Sequence, residues 1–225
     1  MISAIIVCGG RGKRMGTKIP KQFLKIKKME IFMYSVKVFQ KLKEIKKIIV
    51  VVPKNYVRLT QKILKKYKAE NVTVIEGGKE RFNSVYNGLL EAKGSSIVLV
   101  HDGVRPVITR SLVKRVLKGA VKYGACIPVI PVNETLKRIS KDEIKTLNRN
   151  EHFLSQTPQG FKYDLLLKAY NNVIKNGIKI TDEAMAVELL GHPVRVVEGD
   201  RKNIKITYKE DLKIAKTYIN NLKWM

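Results

Sequence analysis

Residues 2–23 read ISAIIVCGGRGKRMGTKIPKQF, and the passage from the first part of this stretch to the second sets the fold class. Ile2 to Cys8 is a near-continuous apolar run, the pattern of a strand covered on both faces of a parallel sheet. The loop after it is the opposite in character: Gly9, Gly10 and Gly12, among and before the cations Arg11, Lys13, Arg14, Lys18 and Lys21. In open α/β folds ligands lie beyond the carboxyl ends of the strands, so this loop is placed to hold an anion. Its glycines let backbone N–H groups approach phosphate oxygens, and its cations neutralise several charges at once. Two familiar phosphate loops are excluded. No G-x-x-x-x-G-K-[ST] run is present, and Met15 stands where a dinucleotide fingerprint needs its third glycine. The second strand ends in Pro53-Lys54, where a ribose-binding acid would be expected. The plain alternative is a basic turn with no ligand.

Outward from that stretch, apolar runs at 47–52, 71–75, 96–100 and 125–131 read as further strands. Helical periodicity recurs at 32–42, 55–68, 81–92, 109–123, 163–176, 182–190 and 208–221. Such alternation predicts an α/β fold, a Rossmann-like, mostly parallel sheet with helices on both faces and right-handed crossovers. Residues 1–225 are expected to form one domain. Between Pro131 and Pro158 the rhythm changes: TLKRIS and EIKTLNR alternate around Lys141-Asp142, predicting a two-stranded ribbon within about 132–157. It reads either as a projecting β-arm for dimerisation or as a hairpin lying on its own domain.

The chain carries 45 Lys plus Arg against 19 Asp plus Glu, a net charge of +26, which invites a nucleic-acid partner. The lysines are nevertheless spread along the whole length, and no helix-turn-helix, zinc-finger or RNA-recognition motif accompanies them. A solvated basic surface accounts for them, and nucleic acid is not the expected partner. No apolar segment approaches the roughly 20 residues of a membrane helix, and Ile2 to Cys8 is too short for a signal-peptide core. The two cysteines, Cys8 and Cys126, sit in apolar runs without metal-ligand spacing, as expected of buried thiols in the cytoplasm.

Seven segments in order carry a resemblance over nearly the whole chain. They are GGRGKRMGTKIPKQF (9–23), GGKERFNSV (77–85), HDGVRP (101–106), PVNETLK (131–137), NRN with SQTPQ (148–159), ITDEA (180–184) and EGDRKNIKIT (198–207). Together they resemble the nucleotidyltransferases that join CTP to a sugar or polyol phosphate, most closely the 2-C-methyl-D-erythritol 4-phosphate cytidylyltransferase family of non-mevalonate isoprenoid biosynthesis. The resemblance implies attack of a substrate phosphate oxygen on the α-phosphorus of CTP, with pyrophosphate leaving and Mg²⁺ assisting. A phosphomonoester is already largely dianionic near neutral pH, so no activated nucleophile is needed. In keeping with this, His101, His152 and His192 form no evident triad. Positioning and stabilisation of negative charge are what the step requires.

Carried over by that resemblance, Arg14 and Lys21 stabilise the α-phosphate. Cys8, Gly9, Gly10, Gly12, Gly77, Gly78, Arg81, Ser84, Asp102 and Gly103 line the nucleotide, although Arg81 and Ser84 read equally as first-turn helix residues. Asp102, at the end of a strand, is the expected metal ligand, or else caps the next turn. On the polyol-phosphate side the resemblance places Asp102, Arg105, Thr135, Arg149, Thr157, Thr181, Asp182 and Lys205, with Arg149 and Lys205 also catalytic. Arg105 reads alternatively as a brace through Asp102, and Asp182 as a helix N-terminal acid. Arg149 and Thr157 are expected from the neighbouring subunit, which would make the enzyme a homodimer. Four positions depart from the family pattern. Cys8-Gly9 replaces a pair of alanines, Gly103 replaces alanine, and Lys202 stands where relatives often carry an acid. The glycine pair is also a feature of ribitol-5-phosphate cytidylyltransferases, the first alternative function. A basic nucleic-acid-binding α/β protein is the second.

Overall fold

Strand formation starts where β-branched residues can be buried on both faces, and in the computed structural model that is the centre of the molecule. The structure describes residues 1–10, 15–17, 19–141 and 143–220. Arg14 and Gly12 of the glycine loop therefore lie outside the described residues, as does Asp142 at the turn of the ribbon. In chain order the elements are β1 (Ile2–Val7), β2 (Lys25–Ile26), β3 (Met29–Glu30), α1 (Ile31–Gln40), β4 (Ile45–Val52), α2 (Val57–Lys66), β5 (Val72–Glu76), α3 (Arg81–Glu91) and β6 (Ile97–Asp102). They continue with α4 (Arg110–Tyr123), β7 (Ala125–Pro131), β8 (Lys137–Ser140), β9 (Glu143–Thr146), β10 (Phe153–Ser155), β11 (Gln159–Lys162), α5 (Tyr163–Lys175), α6 (Glu183–Glu188), β12 (Arg195–Glu198) and α7 (Lys209–Asn220).

The main sheet runs β10-β7-β11-β6-β1-β4-β5, with β12 added parallel to β7. Strands β6, β1, β4 and β5 are mutually parallel, and only β10 and β11 run against their neighbours. The expected α/β fold with a mostly parallel sheet is what forms. Alternation along the strands divides the core. Ala4, Ile6, Ile48 and Val50 face one layer, packed by α1 and α7. Ile5, Val7, Ile49, Val51, Val98 and Val100 face the other, packed by α3, α5 and α6. Each of these isoleucine and valine side chains, fully buried, contributes on the order of 1.5–3 kcal/mol.

Sequence periodicity overlooked β10, β11 and β12, each of three or four residues. The first two have no long apolar run to announce them, because they are one strand's worth of pairing broken in the middle. β11 pairs with Ala125 and Cys126 of β7, and β10 pairs with Val129 to Pro131 further along. Between them the Gln156 N–H still donates to the Pro128 carbonyl of β7, while Thr157 and cis-Pro158 leave the ladder beside the end of β6.

Parallel pairing brings several segments to one edge. Cys8 to Gly10 leave β1, Asp102 ends β6, and Gly77 and Gly78 leave β5. The β8–β9 ribbon stands apart, with every residue of both strands exposed.

Candidate active site

Lys21 opens a single 3-10 turn, Lys21–Phe23, after Pro20, whose fixed φ suits a helical start. The next residue, Gln22, is buried and donates its side-chain amide to the carbonyl of Cys8, tying this turn to the end of β1. Lys21 is itself largely buried and lines a cavity of about 390 Å³ with Gly9, Gly10, Gly78, Arg81, Ser84, Asp102 and Lys205. An adjoining hollow of about 520 Å³ is walled by Gly9, Gly10, Pro53, Tyr56, Gly77, Gly78 and Ser84. Ser84 accepts a hydrogen bond from the Gly78 N–H at 3.1 Å and donates to the Glu80 carbonyl. It therefore shapes the glycine turn while lining both spaces.

On the far side of Asp102 lies a smaller cavity of about 220 Å³, bounded by Arg81, Asp102, Arg105, Thr157, Thr181, Asp182 and Lys205. Arg81, Asp102 and Lys205 thus belong to both spaces. Lys205 Nζ sits 2.9 Å from Asp102 Oδ2, Arg81 Nε 3.2 Å from Oδ1, and Arg105 Nε 3.7 Å from Oδ2. Burial alone would raise the Asp102 carboxyl, but Arg81, Lys205 and Arg105 outweigh it and hold the group well below the usual carboxylate range. Arg81 stays charged for the matching reason: burial opposes its charge, and Glu183 and Asp102 overcome that opposition.

The loop carrying Lys205 has no regular secondary structure and is held by side chains instead. Gln156 exchanges two hydrogen bonds with the backbone of Asp200, at 2.9 and 3.1 Å. Asn203 donates to the Thr157 carbonyl, Arg105 donates to the Asn203 carbonyl, and the Ile206 N–H donates to Val104. Arg105 is thereby a brace between loops as well as a cavity wall. Asp182 caps α6, accepting from the Met185 N–H, and also accepts from Ser155 and Gln159. Beside it Thr181 lines the smaller cavity.

Other expected residues fall elsewhere. Thr157 was expected from a neighbouring subunit, but its hydroxyl accepts from the Asp102 N–H at 3.1 Å and contacts His101 Nδ1 at 3.0 Å, within its own chain. Thr135 and Arg149 are exposed, and Arg149 donates to the Asn133 carbonyl, away from all three of these cavities. Gly103 is not a cavity wall. A Cβ there would meet Cys8 Sγ at 2.3 Å, so the thiol already occupies that space. Burial raises the Cys8 thiol well above its ordinary value, with Asp102 adding to the effect, which leaves it a packing group. A larger cavity, about 740 Å³ against α1 and α4, touches none of these residues.

Among the described residues no three His, Cys, Asp or Glu side chains gather as metal ligands. Asp102 fits a divalent cation only as one ligand of an ion held mainly by substrate phosphates and water. Its charge is already balanced by three cationic neighbours, Arg81, Arg105 and Lys205.

A sequence profile of the 2-C-methyl-D-erythritol 4-phosphate cytidylyltransferases matches residues 2–221. The chain belongs to that family. It is 41% identical over 223 residues to the 2-C-methyl-D-erythritol 4-phosphate cytidylyltransferase of Clostridium botulinum strain Eklund 17B, covering 98% of this chain and 100% of that one. The corresponding enzyme of Alkaliphilus oremlandii is 42% identical, covering 95% and 92%. The crystal structure of 4-diphosphocytidyl-2C-methyl-D-erythritol synthase from Anaerococcus prevotii superimposes with a TM-score of 0.86 at 31% identity, over 97% of this chain and 96% of that one. These relatives make the chain a cytidylyltransferase and favour the main reading of its sequence over ribitol-phosphate transfer and over nucleic-acid binding.

Proposed function

We propose that the chain transfers the cytidylyl group of CTP to 2-C-methyl-D-erythritol 4-phosphate. A phosphate oxygen of the polyol substrate attacks the α-phosphorus, the bond to the β-phosphate oxygen breaks, and pyrophosphate leaves with that electron pair. The observation that carries this reading is the pair of cavities sharing Arg81, Asp102 and Lys205. The base and ribose of CTP occupy the space beside Gly77, Gly78 and Ser84, and its triphosphate lies against Gly9, Gly10 and Lys21, with Gly12 and Arg14 following in the loop. The polyol phosphate takes the smaller space by Arg105, Thr157, Thr181 and Asp182, with Lys205 between the reacting groups. Lys21 and Lys205 lower the barrier as preorganised positive charge where negative charge concentrates. Asp102 would be the protein's ligand to a Mg²⁺ ion carried in by the triphosphate, which would supply further charge stabilisation.

The ribbon completes the proposal. Ile139 and Ile144 on the ribbon, and Phe153 and Leu154 on β10 at the edge of the main sheet, are each more than half exposed, an unusual apolar load for so short a stretch of chain. We infer a homodimer in which this β-arm packs on the partner and brings Thr135 and Arg149 to the partner's polyol site. Residues 1–225 work as one nucleotidyltransferase unit with the arm as its appendage. The free, buried Cys8 and Cys126 suit a cytoplasmic enzyme, and among the described residues no helix is long and apolar enough to cross a membrane.

The test is pyrophosphate release from CTP with Mg²⁺, offering methylerythritol 4-phosphate and ribitol 5-phosphate separately. Turnover with the branched substrate alone is expected. Turnover with ribitol phosphate alone would overturn the substrate assignment, and silence with both would overturn the activity.

A further inference from the structure

Glu183 takes no direct part in holding either substrate, yet it is the most completely enclosed acid of the site. It is fully buried at the first position of α6, and both its oxygens are used. Oε1 accepts from Arg81 Nη1 at 2.6 Å and from the Tyr170 hydroxyl at 3.0 Å, while Oε2 accepts from Arg81 Nη2 at 3.0 Å. Tyr170 is locked in turn, stacked on Phe82 with ring centroids 4.9 Å apart.

We propose that Glu183 is a positioning residue for the transfer, acting through Arg81 on Asp102 and Lys205. A guanidinium is a rigid plane with donors on fixed edges. When Glu183 grips Nη1 and Nη2 with two bonds, the plane is held against turning, and Nε, one of the N–H donors left over, is directed at Asp102 Oδ1. That contact leaves Oδ2 to Lys205, the cation standing between the two cavities. Glu183 also consumes the charge of Arg81 inside the protein, so Arg81 does not draw a phosphate to the wrong place. With Glu183 neutral, the Nη edge of Arg81 is free to swing onto Asp102 or onto a substrate oxygen, and Lys205 loses its reference point. An acid serving only to hold the fold would end its influence at Arg81. Here the chain of bonds continues to the wall common to both substrates.

The proposal rests on the cytidylyl-transfer reading and is tested so that the two can fail separately. Wild type, Glu183→Gln, Arg81→Gln and the double variant are compared by pyrophosphate release with CTP and methylerythritol 4-phosphate. CTP affinity is measured by calorimetry and folding by thermal melting. Glu183→Gln keeps the side-chain shape and removes the charge. It is expected to lower kcat about 10- to 100-fold, the range for loss of a residue that orients a functional group, while the Kd for CTP stays within about threefold of wild type. In the Arg81→Gln background the same change should cost nothing further, because its only route of action is gone. Tyr170→Phe keeps the charge and removes one bond to Oε1; a fall in kcat of about two- to tenfold is expected, with CTP affinity unchanged. That variant decides the matter if Glu183→Gln does not fold. Unchanged kcat in the folded variants, or losses from Glu183→Gln and Arg81→Gln that multiply, would overturn the positioning role and leave the transfer reading standing. Absence of wild-type turnover would overturn both.

Discussion

The end of β6 and the β8–β9 ribbon handle polar and apolar groups in opposite ways. Around Asp102 the carboxylates and Arg105 are buried while Arg81 and Lys205 reach in from more open positions, and each has its partner inside the same chain: Arg81 with Glu183, Asp102 with Lys205, Arg105 with Asn203. On the ribbon the isoleucines Ile139 and Ile144 face each other across the hairpin at 71% and 70% exposure, and Arg149 holds only a nearby carbonyl. Burying a charge is tolerated when its partners are fixed in advance, so the inner cluster is built by the fold itself. Exposing paired isoleucines costs apolar hydration that a second surface can recover. One region is finished within a chain, and the other leaves its apolar pair open to solvent.

The sharpest way to break this contrast is to distribute damage between two chains. Lys21→Ala should lower kcat about 10²- to 10³-fold, as removal of a preorganised donor to a transition-state charge does, without unfolding the protein. Arg149→Ala should also be severely impaired, chiefly in use of the polyol phosphate. Mixed after co-refolding, the two inactive proteins should recover activity. In a two-fold dimer whose arm serves the partner, each mixed dimer regains one intact site, about one site in four of the total. Recovery measured by pyrophosphate release against the mixing ratio checks this. No recovery would mean that the ribbon serves its own chain, and the two regions would no longer differ in kind.

How much of each region could be read from the sequence follows the same division. The ribbon was plain, because alternation over TLKRIS and EIKTLNR is local and needs no knowledge of neighbours. Strands β1, β4, β5, β6 and β7 and the seven expected helices were plain for the same reason, whereas the short parallel strand β12 was not. Within the site, Lys21, Asp102 and Lys205 were found through motifs and do meet at one cavity. Gln22, Gln156, Asn203 and Glu183 were missed, although all four lie within or beside those motifs. Their roles depend on partners from 14 to 102 positions away, through which they splice separate loops together. Glu183 stands inside ITDEA, and only folding turns it away from solvent toward Arg81. Thr157, in or near the ribbon, was expected to serve a partner because the family resemblance implied it. The break between β10 and β11 instead carries it beneath its own Asp102.

The inner region can be challenged through its packing. Gly103 was expected to line the nucleotide, whereas Cys8 Sγ fills the space a side chain there would take. Gly103→Ala alone should destabilise the protein by about 1–3 kcal/mol, the usual cost of forcing a methyl into a full core. Cys8→Ala combined with Gly103→Ala should recover most of that loss, since the second change removes the obstructing sulfur. Urea denaturation of the two single variants and the double checks the coupling. Additive losses would show that backbone at Gly103, bonded from its N–H to the Val7 carbonyl, is strained by any side chain, and that the thiol is incidental.

The smallest expected effect concerns His101, which is wholly buried behind Asp102 between Thr157 and Ser35 and meets the ring of Phe39 edge-on at 5.5 Å. Burial pushes its pKa down to about 3, against a weaker opposing pull from Asp102, so the folded protein holds it neutral. The unfolded chain takes up the proton near the ordinary value of about 6.5. Stability linked to this group is therefore complete above that pH and is lost as pH falls from there toward the folded value. Once the unfolded histidine is mostly protonated, the slope approaches about 1.4 kcal/mol per pH unit. Asp102, held below the usual carboxylate range, contributes a change only at lower pH, below about 4. Denaturation between pH 7.5 and 5 thus isolates the histidine. His101→Gln should start from a lower stability, having lost the packing on Phe39, and should show a shallower acid slope over that interval. An equal slope in both proteins would mean that the inner cluster admits a proton at His101, and that its polar groups are less completely committed within the chain than those bonds indicate.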